Sequence, residues 1–393
     1  MHKPKVIRII ARLNIGGPAM HTILLSNGLN QGAFRDTLVC GTSSASEGDM
    51  SYLGKDKYAR PLIIPELGRE ISLKKDFTAF LRLYSLMRRE RPDIVHTHTA
   101  KAGALGRLAA ALAGVPIKVH TFHGHIFDGY FSPIKAKTFI FLERILALFT
   151  DRLITVSERI KYDIVNRLKV TQDRKCAVIP LGLELDKFLD CERERGAFRK
   201  TLAIDDAAQL VGIVGRLVPI KNHRMFLNAA RRLKSDLPGL KVKFIIVGDG
   251  ELRGELEDYS HRLGLREDVI FTGWVKDLAC VYADLDVVAL TSLNEGTPVS
   301  LIEAMASGRP VIATEVGGIR DLISPDVNGI LARSGDVDDF CSGLISLLND
   351  SDKRRELGKR GRDSVAVKYS KDRLIKDVEA LYQNLISERE NRQ

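Results

Sequence analysis

The chain has 393 residues, 45% hydrophobic and 28% charged, which excludes a disordered or membrane-integral protein and exceeds what one hydrophobic core usually supports, so two globular domains are expected. Its formal charge of +10 is confined to one half: residues 1–185 carry 28 Lys and Arg against 16 Asp and Glu, the remainder 32 against 34. Such a field favours anionic partners, a phospholipid surface or a phosphorylated acceptor among them, although solubility alone also accounts for a mild excess.

Five scattered cysteines (Cys40, Cys176, Cys191, Cys280, Cys341) with no C-x-x-C pair exclude a disulfide framework and a cysteine zinc site, and fit a reducing cytosol. The first apolar stretch is interrupted by Arg8 and Arg12, and the longest, 139–149, by Glu143 and Arg144. Neither a signal peptide nor a membrane span is therefore expected.

In chain order, apolar runs suited to buried parallel strands fall at 6–10, 37–40, 62–64, 94–95, 119–121, 153–156 and 177–179, with helical stretches at 19–29, 77–89, 104–113 and 134–148 between them. The segment 184–206 is charged, lacks strand character and reads as a linker. A second series of strands follows at 210–214, 244–247, 269–271, 287–290 and 311–313, again with helices between. After Asp350 the chain is helical and polar, and its last helix, 371–392, keeps apolar positions at Leu374, Ile375, Val378, Leu381 and Leu385 for packing. Alternation of this kind predicts two doubly wound α/β domains, 1–183 and 207–370, with the helix of 371–393 left to pack on something.

Open parallel sheets bind ligands in the loops beyond the C-terminal ends of their strands. The first such loop is Asn14-Ile15-Gly16-Gly17-Pro18, where paired glycines let backbone approach a ligand and a helix N-terminus follows. It is also an ordinary turn, and it is not the G-x-G-x-x-G fingerprint of dinucleotide binding. The second, Gly215-Arg216-Leu217-Val218-Pro219-Ile220-Lys221, places two cations before a helix, an arrangement suited to a diphosphate or to nothing more than a solvated surface.

The third and strongest runs from Asn294 through Glu295, Gly296, Thr297, Pro298, Val299 and Ser300 to Glu303 and Met305. Thr297 reads as the N-cap with Pro298 at the first helical position. The helix is apolar nearly all round, so Glu303 inside it needs a hydrogen-bond partner. Two carboxylates thus flank a helix mouth, suited to vicinal hydroxyls on one side and phosphate on the other; a buried ion pair with a capping carboxylate is the structural alternative. The fourth element is a histidine group, His96, His98, His120, His123 and His125. Metal binding is tempting, but no carboxylate or cysteine completes a set, so structural or polar roles are favoured. His123, at a strand end before Gly124, is the best placed to face a cleft.

The Glu-x7-Glu element within EGTPVSLIEAMASGRPVIAT, the Gly-Arg-x4-Lys loop, the Val247-Gly248-Asp249-Gly250 turn and the N-terminal Gly-Gly loop resemble, in the same order and over nearly the whole chain, the family 4 retaining glycosyltransferases. HTHTAKAGALGRLAA and HTFHGHIFDGYFSP are similar to bacterial members that build capsule, exopolysaccharide or lipopolysaccharide. The resemblance implies the GT-B fold: two Rossmann-like doubly wound domains facing each other across a cleft, with a C-terminal helix crossing back to the first. It implies transfer of a sugar from a nucleotide-sugar, a UDP-linked hexose or N-acetylhexosamine, to a glycan or lipid-linked acceptor. Arg216 and Lys221 would bind the donor diphosphate, Glu303 the ribose and Glu295 the donor sugar. Backbone at Gly215, Gly296, Thr297, Pro298, Val299 and Ser300 would help hold phosphate or sugar. His123 would lie by the donor sugar, Gly16 and Gly17 would approach the diphosphate from the other domain, and the loop 271–276, with Val275, would face the base. Pro18 departs from the small and acidic residues common after Gly-Gly, which bears on the acceptor side.

No cofactor and no metal is expected, because Arg and Lys supply the positive charge. No nucleic-acid partner is expected either, since the basic half lacks a zinc finger, a recognition helix or aromatic–basic interleaving. The chain is expected to be cytoplasmic, with a peripheral position on the inner face of the plasma membrane as the further expectation. Residues 131–149 mix Lys135, Lys137 and Arg144 with apolar side chains, which suits a helix lying on an anionic membrane or a buried helix with a basic edge. Two rival functions share the architecture: a nucleotide-sugar epimerase, separable by an assay without acceptor, and a non-catalytic sugar-nucleotide sensor, which would show no turnover.

Overall fold

The computed structural model describes residues 3–14, 16–42, 61–68, 72–124 and 133–391. The chain forms two compact units: Met1–Leu183 with Ser370–Gln393, and Glu184–Tyr369.

In the first unit, strands β1 (Lys5–Ile10), β2 (Arg35–Cys40), β3 (Leu62–Ile63), β4 (Ile94–His98), β5 (Ile117–Phe122), β6 (Arg152–Thr155) and β7 (Cys176–Val178) alternate with helices α1 (Gly17–Gln31), α2 (Leu73–Glu90), α3 (Ala100–Leu112), α4 (Pro133–Leu148) and α5 (Glu158–Tyr162). The sheet is parallel in the order β3-β2-β1-β4-β5-β6-β7. Its order reverses between β1 and β4, so the loops after these two strands border the crevice where such sheets bind ligands. The sequence ends the fourth strand at Val95. The structure carries it through His96, Thr97 and His98, all fully buried, because each polar side chain finds a partner inside the sheet.

The second unit begins with the segment expected as a linker. It folds instead into α6 (Asp186–Leu189), a 3₁₀ turn (Cys191–Glu194) and α7 (Ala197–Thr201). The segment is anchored: Asp284 accepts from the backbone N–H of Gly196 and of Arg199, and the Arg199 guanidinium reaches Asp286 at 3.0 Å. Strands β8 (Gln209–Val214), β9 (Val242–Val247), β10 (Val269–Gly273), β11 (Val287–Leu290), β12 (Val311–Thr314) and β13 (Ile330–Ala332) form a second parallel sheet. Helices α8 (His223–Asp236), α9 (Arg253–Arg262), α10 (Leu278–Asp284), α11 (Val299–Ala306), α12 (Val337–Asn349) and α13 (Ser351–Ala366) accompany it. The order is β10-β9-β8-β11-β12-β13, reversing between β8 and β11.

The last helix, α14 (Lys371–Glu390), belongs to the first unit. Leu374, Val378, Tyr382 and Leu385 are buried there in one cluster with Val6, Leu25, Phe34 and Ile94. Among the described residues no helix is long and apolar enough to cross a membrane.

Candidate active site

In the second unit the loops after β8 and β11 meet because these strands are neighbours at the reversal point. Leu293 N–H donates to the Ile220 carbonyl at 2.8 Å, and Thr291 Oγ1 to the carbonyls of Lys221 and Asn222 at 3.2 and 3.1 Å. This stitching brings Lys221 Nζ to 2.5 Å from Glu295 Oε1, which also accepts from Ser292 Oγ at 2.7 Å. Arg216 is half-buried on the same loop and has no side-chain hydrogen bond or ion pair among the described residues. The loop thus carries one guanidinium with no partner among the described residues and one paired ammonium, two kinds of donor suited to an anion.

Two glycines hold these loops at backbone distance. Gly248 has φ +133°, and a Cβ there would collide with the carbonyl of Gly215; Gly317 has φ +52°, and a Cβ there would collide with the carbonyl of Glu295. Gly318 N–H then donates to that carbonyl at 3.0 Å. The V-G-G at 316–318, after a strand, is the signal by which this support could have been found from sequence.

Helix α11 starts one residue later than expected. Pro298, with φ −76° and ψ 108°, is still extended and occupies the N-cap, and no side chain caps the helix. Thr297 therefore lies outside the helix rather than at its cap: a proline fixes φ but not ψ, and here ψ has not yet turned helical. Pro298 offers no capping side chain to the first-turn N–H groups at Val299 and Ser300, and the positive end of a helix suits an anion. Gly296 and Thr297 are half-buried in the turn leading to it.

Glu303, one turn inside, is 6% exposed. Burial pushes its carboxyl up to about 7, against the opposing effects of the Lys187 charge and a hydrogen bond from Tyr282. The Tyr282 hydroxyl lies 3.1 Å from both Glu303 Oε2 and the Ser300 carbonyl oxygen. Its single proton serves the carboxylate when Glu303 is ionised; when Glu303 is protonated, the acid donates to the phenol and the phenol to Ser300. A buried carboxyl poised near neutrality marks a functional candidate. Tyr282 lies 21 residues away in sequence, and only the fold reveals it. Val275 is half-buried between β10 and α10, on the sheet's edge.

In the first unit, Gly16 is the N-cap of α1 and Gly17 its first residue, with Pro18 behind and no side chain capping. His21, on the same helix, meets His123 edge-to-face at 4.8 Å between ring centres, so this helix and the histidine after β5 come together. His98 Nδ1 lies 3.0 Å from His123 Nε2. Burial lowers His123 to about 3 and drives His21, His96, His98 and His120 well below the usual imidazole range. Nitrogens of His21, His98 and His123 lie within 4.8 Å of one another, a spacing compatible with one metal ion. Against it stands the fully buried Arg8, whose guanidinium donates to His98 Nε2 at 3.3 Å and sets a fixed positive charge there. His125 lies outside the described residues. His21 escaped the sequence reading because it sits alone in a helical pattern; Arg8, because it was read as an interruption of an apolar run.

Residues 208–350 match the model of the glycosyl transferases group 1, and residues 15–187 that of glycosyltransferase family 4. The chain is 35% identical over 296 residues to the UDP-Gal:alpha-D-GlcNAc-diphosphoundecaprenol alpha-1,3-galactosyltransferase of Escherichia coli, covering 75% of this chain and 76% of that protein. It is 26% identical over 336 residues to the capsular polysaccharide biosynthesis glycosyltransferase CapM of Staphylococcus aureus, covering 84% and 86%. Among solved structures, Anabaena HepE in complex with UDP superposes with a TM-score of 0.81 at 20% identity over 97% of this chain and 100% of that one.

Proposed function

The chain belongs to the family 4 glycosyltransferases and has their two-domain GT-B fold, and from that premise we propose that it moves a hexose or N-acetylhexosamine from a UDP-sugar to a glycan or lipid-linked acceptor of a bacterial surface polysaccharide, with retention of anomeric configuration. A UDP-galactose donor and a lipid-diphosphate acceptor are named for the Escherichia coli relative, which supports a donor and acceptor of those classes. One observation carries the reading: the Lys221–Glu295 pair beside the open end of α11, with Glu303 poised to ionise one turn below.

In this mechanism the diphosphate takes Lys221 from Glu295. The ammonium, the Arg216 guanidinium and the α11 N–H groups then face the oxygen on which charge builds as the anomeric bond breaks. Glu295, released, accepts a hydroxyl of the sugar; Glu303 accepts from the ribose; His123 donates to a sugar hydroxyl. The acceptor hydroxyl attacks from the face the nucleotide leaves, its oxygen bonding the anomeric carbon as the bond to the phosphate oxygen breaks and its proton passing to that departing oxygen, while the fixed cations stand in for a metal ion.

A screen of UDP-, GDP- and ADP-sugars with a lipid-diphosphate acceptor tests this, with NMR of the product anomer. Turnover with a UDP-sugar, an unchanged anomer and insensitivity to EDTA are expected. Arg216→Ala and Lys221→Ala should each lower kcat about 10²–10³-fold, the usual loss of one preorganised charge. Unchanged turnover in both variants would remove the loop after β8 from the site; an inverted product would refute retention; sugar interconversion without acceptor would turn the reading to an epimerase.

The acceptor side has its own support. Helix α4 exposes Ile134, Phe141, Leu142, Ile145 and Leu148; four of these recur at helical spacing along one face. Leu108 and Leu112 of the adjoining α3 are also exposed. An outward apolar face in the basic half suits an anionic membrane carrying a lipid-linked acceptor. Phe141→Asp with Leu148→Asp should abolish co-sedimentation with anionic liposomes while leaving transfer to a water-soluble acceptor analogue intact. Sedimentation equal to native would place this face in another role.

A further inference from the structure

Arg8 lies in the middle of β1, fully buried, directly beside His96 in the register of β4. Asp36 on β2 takes its Nε at 3.1 Å and one terminal nitrogen at 2.7 Å. The other terminal nitrogen lies 2.9 Å from His96 Nδ1 and 3.3 Å from His98 Nε2. A guanidinium has donors only and keeps its charge, so both imidazole nitrogens must accept. Each neutral ring has one N–H and one lone pair, and the proton positions follow. His96 carries its proton on Nε2 and donates to Thr121 Oγ1 at 2.7 Å. His98 carries its proton on Nδ1 and donates to His123 Nε2 at 3.0 Å. That leaves the His123 proton on Nδ1, a buried atom with no hydrogen-bond partner among the described residues.

We propose that Arg8 is a positioning residue that acts through His98: the buried cation fixes the His98 tautomer, and His98 fixes His123 as a neutral ring presenting an Nδ1–H donor to the ligand. Its use to the ligand rests on the assignment of His123 to a sugar hydroxyl. A neutral N–H donor suits a hydroxyl oxygen, whereas an imidazolium would compete for the diphosphate. The relay also bars the metal reading. An ion on His98 Nδ1 would force that ring's proton to Nε2, against the Arg8 N–H; histidines that bind metals normally donate their second N–H to an acceptor.

Long-range ¹H–¹⁵N correlation spectra of the full chain labelled at histidine, assigned with single histidine variants, read the tautomers directly. Protonated Nδ1 and unprotonated Nε2 are expected for both His98 and His123, unchanged on lowering the pH to 6. His98→Gln, whose amide can accept from Arg8 and donate to His123, should preserve the His123 pattern; His98→Met, which cannot donate, should shift it toward Nε2–H. Both variants leave the Arg8–Asp36 pair in place, whereas Arg8→Ala would leave the buried Asp36 carboxylate without its cation and threaten the fold. Native Nε2–H at His98, an imidazolium at His123, the native His123 pattern in His98→Met, or one equivalent of Zn²⁺ bound through His98 would each overturn the relay. Full activity in His123→Ala would instead remove His123 from the site while the tautomer pattern stood.

Discussion

A single carboxyl couples the stability of the second unit to pH. In an unfolded chain Glu303 loses its proton near the ordinary glutamate value of 4.5; in the fold, burial holds the proton until about 7. Between those values the folded state keeps a proton the unfolded chain has released, so stability falls as the pH rises from 4.5 to 7 and stays lower above it. At about 1.4 kcal/mol per unit the loss is on the order of 3 kcal/mol. Glu303→Gln keeps the shape without the charge. It should raise Tm above pH 7 and leave it nearly unchanged below 4.5, which calorimetry at the two ends would show. The same residue should weaken the donor complex when protonated, so native KM for the donor falls as the pH rises through 7 while that of Glu303→Gln stays flat and higher. A flat native profile would dissociate Glu303 from the ribose.

Between residues and the whole chain, α4 shows how a misfit in the pattern marks a contact. Glu143 breaks an apolar tract and reads from sequence only as an obstacle to membrane insertion. In the fold it is buried and meets the fully buried Arg107 of α3 at 2.7 Å, and Arg107 also donates to the Gly103 carbonyl. Removing one partner of such a pair leaves the other charge buried and unpaired, a loss of about 3–5 kcal/mol, whereas replacing both by apolar residues is often neutral. Arg107→Leu should therefore lower the urea midpoint strongly, and adding Glu143→Leu should restore most of it; losses that simply add would show no coupling. Much of the element order was legible because apolar runs with β-branched residues announce buried parallel strands. What escaped had a physical cause. The polar half of β4 is stabilised by Arg8 and Thr121, residues distant in sequence, and β13 is only three residues long. The 184–206 segment read as a linker because its anchor, Asp284, lies 85 and 88 residues beyond the groups it holds. Of the candidate site, the Glu295–Glu303 and Arg216–Lys221 motifs stood out in the sequence as charges at a strand end or within an apolar helix, though each also had a bland reading, a solvated loop or a buried ion pair. Tyr282, Ser292 and the Arg8 relay did not, since each is defined only by the neighbour it meets.

At the scale of the whole chain, each unit is organised around the reversal point of its parallel sheet, and the first is completed by the last residues of the polypeptide. Helix α14 fills that unit's core with Leu374, Val378, Tyr382 and Leu385, and the Tyr382 hydroxyl joins the Arg8–His96 network, 2.6 Å from His96 Nδ1 and 3.2 Å from Arg8. The Arg373 guanidinium holds the helix start to the carbonyls of Pro180 and Leu181. Four buried side chains at about 1.5–3 kcal/mol each amount to roughly 6–12 kcal/mol, comparable with the whole stability of a typical domain, about 5–15 kcal/mol. A chain ending at Tyr369 should therefore lose the cooperative fold of its first unit while the second, whose core contains no residue of α14, persists. Hydrogen exchange resolves the two: amides of β1, β4 and β5 should lose protection while those of β8, β9 and β11 retain it. Undiminished protection in β1 would mean that α14 decorates a core already complete. Loss of protection in both sheets together would mean that the units fold as one cooperative body, and that the helix closing the first sustains the second as well.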